Sequence, residues 1–252
     1  MRLFVGVALL LLSAGAHAAW SVSADLEAFH WMEDGTPSVT ERGPRWGASW
    51  GYLHERDSGW QWAYKGQFRR GTVDYEGAFL FSGSPTKART RYTGLLNELQ
   101  GGYRFPDSHG VELIGGVGLD YWERNILPDQ IEDYAVFFAR FGLNIDPRSS
   151  RGFFGGFGLK LPFYVAENAH LDQIGFDKNE TLHPKGNLSS YAELGYRFQR
   201  RWSLIGYYDS YRFGESNTVS ATSAAFPGTK FAIFQPASTV DSFGVRLQYE
   251  FR

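Results

Sequence analysis

The chain of 252 residues contains no cysteine, which excludes disulfides and thiolate metal sites and leaves its redox compartment open. It lacks a dominant charge. Its 25 Lys+Arg stand against 27 Asp+Glu, a balance that argues against nucleic acid as a partner. Beyond the first dozen residues it also lacks any apolar run near the roughly 18 residues of a spanning helix. Aromatic residues, by contrast, make up 17% of the chain, and glycines number 30. Aromatics with glycine, without long apolar runs, suit lipid-facing strands around a tight lumen.

Met1-Arg2, the apolar run Leu3 to Leu12 and the small-residue site Ala16-His17-Ala18 read as a secretory signal peptide over 1–18, cut after Ala18. The apolar run is too short to cross about 30 Å of hydrocarbon, and no cysteine follows for lipid attachment. Residues 19–252 then form one domain. Removal of Arg2 leaves 24 Lys+Arg against 27 Asp+Glu, a net charge of −3.

The pattern is clearest from Asn97 to Tyr121. Leu99, Gly101, Tyr103 and Phe105 alternate with Glu98, Gln100, Gly102 and Arg104. After the turn Pro106 to Gly110, Val111, Leu113, Gly115, Val117, Leu119 and Tyr121 alternate with Glu112, Ile114, Gly116, Gly118 and Asp120. Two period-2 runs joined by a tight polar turn are a hairpin, and the unit recurs over 192–213. The same reading places strands at 20–31, 45–53, from Trp60, 134–144, from Phe153, and at the C-terminal end, ten in all. Short turns at 55–59, 106–110, 146–151 and 199–201 alternate with longer connections, including 33–43, 74–90, 125–133, 166–186 and 214–238. A hairpin repeated until it closes, with turns on one rim and loops on the other, predicts an all-β, ten-stranded, antiparallel, up-and-down transmembrane β-barrel.

Alternation alone does not say which face is outside, since a lipocalin-like barrel points its apolar face inward. Three features favour apolar-out. Trp20, Trp60, Trp62, Trp202, Tyr103, Phe105, Tyr196, Phe198 and Phe251 fall near turn-side strand ends, where an aromatic girdle belongs. The strands match the roughly 9–11 residues that cross a bilayer when tilted. The other face carries matched charge in mid-strand: Asp25, Glu27, Glu98, Glu112, Asp120, Glu193, Asp209 and Glu250 against Arg45, Lys65, Arg69, Arg104, Arg140, Lys160, Arg197 and Arg246. An enclosed lumen needs that pairing, because unpaired buried charge is expensive. Arg140 and Glu112 are candidates to bridge the interior. Asn97 and Leu96 fall on the wrong faces, which a bulge near Leu96 would explain.

The signal segment, the strand-turn pattern and the last strand VRLQYEF resemble a small Gram-negative outer-membrane β-barrel. The resemblance covers the whole mature chain, and no motif selects one family. It implies the bacterial outer membrane as address, outer-membrane lipid and lipopolysaccharide as surroundings, a monomer, and no cofactor. In such proteins the barrel-assembly machinery reads a last strand ending in Phe; Tyr249 and Phe251 stand in that position here, with Arg252 last.

Specific chemistry is weakly marked. No His-x-Ser occurs for a lipid hydrolase. An omptin-like protease needs acidic and Asp-His pairs facing each other across the loop-side groove. Asp120, Asp209, Asp74 and His30 supply fragments of that set, while Asp107-Ser108-His109 lies in a tight turn on the opposite rim. An acid-histidine pair in hydrogen-bond reach at the loop-side rim would favour an enzyme, and a continuous water path would favour a solute channel. His170, Asp172, Asp177, Glu180 and His183 crowd loop 166–186 without the regular spacing of a metal site. The apolar stretches of loop 214–238 read as extended strands or a loop folded over the lumen in preference to a contact surface for a partner or for lipopolysaccharide. The expectation is therefore a structural or surface-interaction barrel with a largely closed polar lumen. Phe29, Trp31, Phe138, Phe154, Tyr164, Tyr207 and Tyr211 fill its interior, and inward glycines such as Gly118 and Gly158 make room for them. On that reading Gly118→Ser is mild and Val117→Arg is not.

Overall fold

A computed structural model describes residues 18–54, 58–78, 83–126, 130–199 and 201–251. The signal segment lies outside the described residues except for Ala18, which opens the first strand. In chain order the strands are β1 (Ala18–Glu33), β2 (Val39–His54), β3 (Gly59–Ala78), β4 (Pro85–Arg104), β5 (Val111–Ile126), β6 (Gln130–Ile145) and β7 (Gly152–Asn168). A short 3-10 turn, Leu171–Ile174, precedes the small β8 (Thr181–Leu182) and β9 (Lys185–Asn187). There follow β10 (Ser189–Gln199), β11 (Trp202–Gly214), the small hairpin β12 (Val219–Thr222) and β13 (Lys230–Ile233), and β14 (Ser238–Phe251).

The ten long strands pair antiparallel in sequence, β14 returns to β1, and β7 meets β10. The sheet has no free edge, so every long strand is hydrogen-bonded on both sides. Tight turns use the residues that tolerate them. Between β4 and β5, Asp107, His109 and Gly110 take positive φ, and the Ser108 hydroxyl donates to the Phe105 carbonyl at 2.7 Å.

Alternation assigns the faces as the sequence predicts. Leu26, Trp46, Leu99, Val117, Phe141, Phe157, Leu194 and Phe243 are exposed on the outside, while Asp25, Glu98, Asp120 and Arg246 are buried inside. At the turn-side rim the outward aromatics touch one another in short series: Trp20, Tyr52 and Trp62; Trp60, Tyr103 and Phe105; Trp202, Tyr249 and Phe251.

Three details correct the sequence reading. The β3–β4 and β4–β5 registers run without interruption past Leu96 and Asn97, so no bulge exists there. Leu96 is simply an inward core residue, and Asn97 faces out, its side-chain oxygen accepting from the Tyr64 hydroxyl at 2.6 Å. A bulge does occur where β6 passes from Phe137 to Phe138, opposite Tyr164 and Pro162 of β7. Phe163 and Tyr164 therefore both point outward, and Tyr164 packs on Phe137 instead of filling the lumen. Pro162 has no N–H to give the ladder, which makes this the natural place for the extra residue. Finally, β1 to β6 run well past the apolar belt: their ends at Glu33, Val39, Ala78, Pro85, Ile126 and Gln130 lie within the stretches 33–43, 74–90 and 125–133 expected as loops.

Candidate functional site: the filled lumen

The inward face of the ten strands forms one stack of layers. Nearest the turns is a cavity of about 260 Å³ lined by Gln61, Lys65, Gln100, Arg140, Tyr191, Glu193, Arg246, Gln248 and Glu250, with Asp146 and Arg148 of the 146–151 turn at its mouth. Above it the free space falls to pockets of about 40 and 20 Å³, room for a few waters at most. The constriction is built of ion pairs. Arg246 donates to Asp25 at 2.6 Å, Arg45 to Glu27 at 2.7 Å and Lys160 to Asp209 at 2.6 Å. Arg140 holds Glu98 at 2.8 Å, and Asp120 takes Arg69 together with the Tyr211 hydroxyl. Aromatic faces cover several of the cations: Lys160 lies 3.4 Å from the Tyr211 ring centroid, Arg140 3.5 Å from Tyr191 and Arg45 3.8 Å from Phe29.

The charged residues picked from sequence thus lie in the lumen, but their pairing differs from expectation. Arg140 reaches Glu98, whereas Glu112 is bound by Arg104 at 2.7 Å, across the β4–β5 hairpin near the turns. Arg197 pairs with Asp146 at 3.0 Å, tying β10 to the turn after β6. Burial pushes the Asp146 carboxyl up, but hydrogen bonds and charge from Arg197, with help from Arg148, hold it below the usual aspartate range. Glu193 and Glu250 line the turn-side cavity.

Glycines let large rings lie flat against the wall. A Cβ on Gly118 would sit 2.4 Å from the Phe138 ring, and one on Gly244 would sit 2.2 Å from Tyr207. Above the ion pairs a plug of apolar side chains includes Phe29, Trp31, Tyr92, Leu96, Trp122, Tyr134, Phe138 and Tyr211. Trp122 and Tyr134 stack at 5.1 Å, and Trp31 packs edge-on to Tyr134 at 5.4 Å.

The topmost layer escaped the sequence reading. Arg124 is buried among Glu33, Glu41 and Glu132, at 2.8, 2.7 and 2.7 Å. The Trp31 indole N–H donates to Glu33 at 2.9 Å and the Tyr92 hydroxyl to Glu41 at 2.6 Å. Glu167, also buried, adds a fourth carboxylate, one oxygen of which has no partner. All five residues belong to stretches assigned to loops or to the ends of strands. Carrying each strand's inward parity two to four residues further would have found Glu33, Glu41, Arg124 and Glu132; Glu167 lies beyond the β7 bulge, which reverses the parity there.

No rim protease set is assembled from the residues considered for one. Asp120 and Asp209 are deep in the lumen with Arg69 and Lys160. Asp74 and His30 lie on the outer wall, where Arg42 stands opposite both. An acid-histidine pair does occur on the loop-side outer wall: His170 Nε2 lies 2.8 Å from Asp133, which also accepts from the Tyr121 hydroxyl at 2.8 Å. Its other ring nitrogen faces the Gln173 amide at 3.4 Å. The contact ties the 3-10 turn Leu171–Ile174 to the barrel wall at Asp133 and Tyr121.

The remaining polar residues of loop 166–186 are dispersed. Asp177 accepts from the Thr222 amide at 2.8 Å, a bond that holds its carboxyl below the usual range. His183 meets the Val165 carbonyl at 3.0 Å, and Glu180 pairs with Lys178. Among the described residues no group of His, Asp or Glu is arranged to hold a metal ion. Loop 214–238 does not continue the barrel strands, which end at Gly214 and resume at Ser238. It forms the β12–β13 hairpin, which shares a small core with Leu171 and Phe176.

No known family's sequence profile and no curated protein matches the chain. Its fold is similar to that of the outer-membrane protease OmpT from Escherichia coli, at a TM-score of 0.55 and 11% identity over 93% of this chain and 96% of that one. Looser likenesses include the translocator domain of the autotransporter NalP from Neisseria meningitidis, at 0.46 and 12% over 99% and 94%. The toluene transporter TodX from Pseudomonas putida follows at 0.43 and 9% over 94% and 90%. At these identities the likeness to the protease establishes the closed ten-stranded antiparallel barrel alone.

Proposed function

We propose that this chain is an integral outer-membrane barrel of a Gram-negative bacterium, delivered by its signal peptide, with its tight turns in the periplasm and its loops outside. It serves as a structural or surface-interaction protein and not as a conduit. One observation carries this reading: a continuous outward belt of exposed apolar side chains surrounds a lumen blocked by ion pairs and a Trp-Tyr-Phe plug. An apolar belt of that extent is costly in water and favourable in hydrocarbon. The fold shared with an outer-membrane protease supports the same address. The last strand, with outward Tyr249 and Phe251, serves as the signal for the barrel-assembly machinery.

The test has two arms. The protein is expected in the outer-membrane fraction and to migrate differently before and after boiling, as a closed barrel does. Planar-bilayer recording of the wild type should show no steady conductance. Recovery as a soluble protein would overturn the address, and a large stable conductance would replace the closed-lumen reading with a channel.

A further inference from the structure

On the outer wall, directly above the apolar belt of β2, β3 and β4, four arginines point away from the barrel: Arg42, Arg70, Arg89 and Arg91. Register places them together. Arg42 and Arg89 flank Asp74 in one row, and Arg70 stands opposite Thr93, two residues from Arg91. Cross-strand spacing of roughly 5 Å and a rise of roughly 3.3 Å per residue put neighbouring guanidiniums within roughly 10 Å of one another.

None of the four has an ion-pair or hydrogen-bond partner among the described residues, and Asp74 makes no ion pair with either flanking arginine. The same wall supplies its own anion elsewhere. Arg212, outward on β11, is held by Asp241 at 2.7 Å, and Lys87 by Glu76 at 2.6 Å. Asp74 between Arg42 and Arg89, and Glu123 facing Thr93 beside Arg91, offset part of the charge, but neither holds an arginine in an ion pair, and the excess of guanidinium leaves the patch open to an external anion.

The patch is continuous with Trp46, Phe68 and Leu95, the last apolar outward residues beneath it. An occupant must therefore offer phosphate to the arginines and hydrocarbon to the belt. Guanidinium forks match phosphate oxygens in pairs, which a point charge does not.

We propose that Arg42, Arg70, Arg89 and Arg91 form a docking surface for the phosphorylated anchor of lipopolysaccharide, whose acyl chains lie on the belt below. This rests on the membrane reading above, because the patch lies on the loop-side rim assigned to the outer leaflet.

The experiment compares the refolded mature barrel with R42Q/R70Q/R89Q/R91Q in detergent. Each is incubated with lipopolysaccharide, with dephosphorylated lipopolysaccharide or with phosphatidylglycerol, and lipid retained per barrel is measured after size exclusion. Wild type should retain lipopolysaccharide, with retention falling about tenfold on dephosphorylation and about tenfold in the variant. Heat-dependent migration of both proteins reports that each is folded; its loss in the wild type would remove the membrane reading and not the patch alone. The double variant R89Q/R91Q, expected to lose about threefold, decides the matter if the quadruple variant does not refold. Equal retention by folded variants, equal retention of the dephosphorylated lipid, or equally strong binding of phosphatidylglycerol would overturn the proposal.

Discussion

Neighbouring residues on one strand face different solvents, and their substitutions separate accordingly. Val117 is exposed on the belt, so Val117→Arg should cost roughly 2–4 kcal/mol near the bilayer midplane and depress insertion. Parity alone makes Gly118→Ser mild. Contact reverses that expectation, because the new Cβ would meet the ring of Phe138, itself locked in the plug. Both variants should therefore lose heat-modifiable barrel, Val117→Arg at insertion and Gly118→Ser in the stability of the inserted form, read by urea titration in micelles. Asp146 gives a pH signature. Its folded carboxyl lies below the ordinary aspartate range, so the stability it adds is present above about pH 4 and lost as pH falls through the folded value. Asp146→Asn should flatten the acid limb of a stability-versus-pH profile and leave the neutral plateau lower.

At the scale of one strand, β7 shows how a single extra residue redirects everything beyond it. Phe163 and Tyr164 both face out, so Val165 and Glu167 return to the lumen on a parity opposite to that of the strand's first half. Deleting Phe163 leaves Pro162 inward, Tyr164 outward and Val165 inward, an unbroken alternation. That variant should still give a heat-modifiable barrel. Deleting Leu159 moves the residues on one side of the cut to the wrong face, charge toward lipid or apolar groups inward, and should abolish folding. Recovery of both in equal yield would mean that the bulge does not set the register.

For the whole molecule, closure depends on the plug rather than on the turn-side cavity. Trp31 and Trp122 meet Tyr134 from two sides, and together they separate the cavity from the loop-side mouth. The double variant Trp31→Ala, Trp122→Ala should cost at least about 3–5 kcal/mol and open measurable conductance in planar bilayers. A silent double variant would place the seal elsewhere, in the Arg124 layer above or the ion pairs below.

What the sequence by itself determined is whatever repeats every second residue. Strand identity, the inward and outward faces, the count of ten and the girdle all follow from alternation, because a wall between lipid and lumen imposes opposite solvents on successive side chains. Past the belt that contrast vanishes. In PTKARTRYTG of β4 both faces are polar, so the stretch reads as loop although the ladder continues to Pro85. Arg124 and its carboxylates were hidden for the same reason. Tertiary structure alone decided which charge meets which, since pairing across the lumen depends on strand stagger and tilt that no single strand records. It also decided that Arg140 reaches Glu98 and not Glu112, that Tyr164 turns outward, and that four arginines from three strands share one unpaired patch.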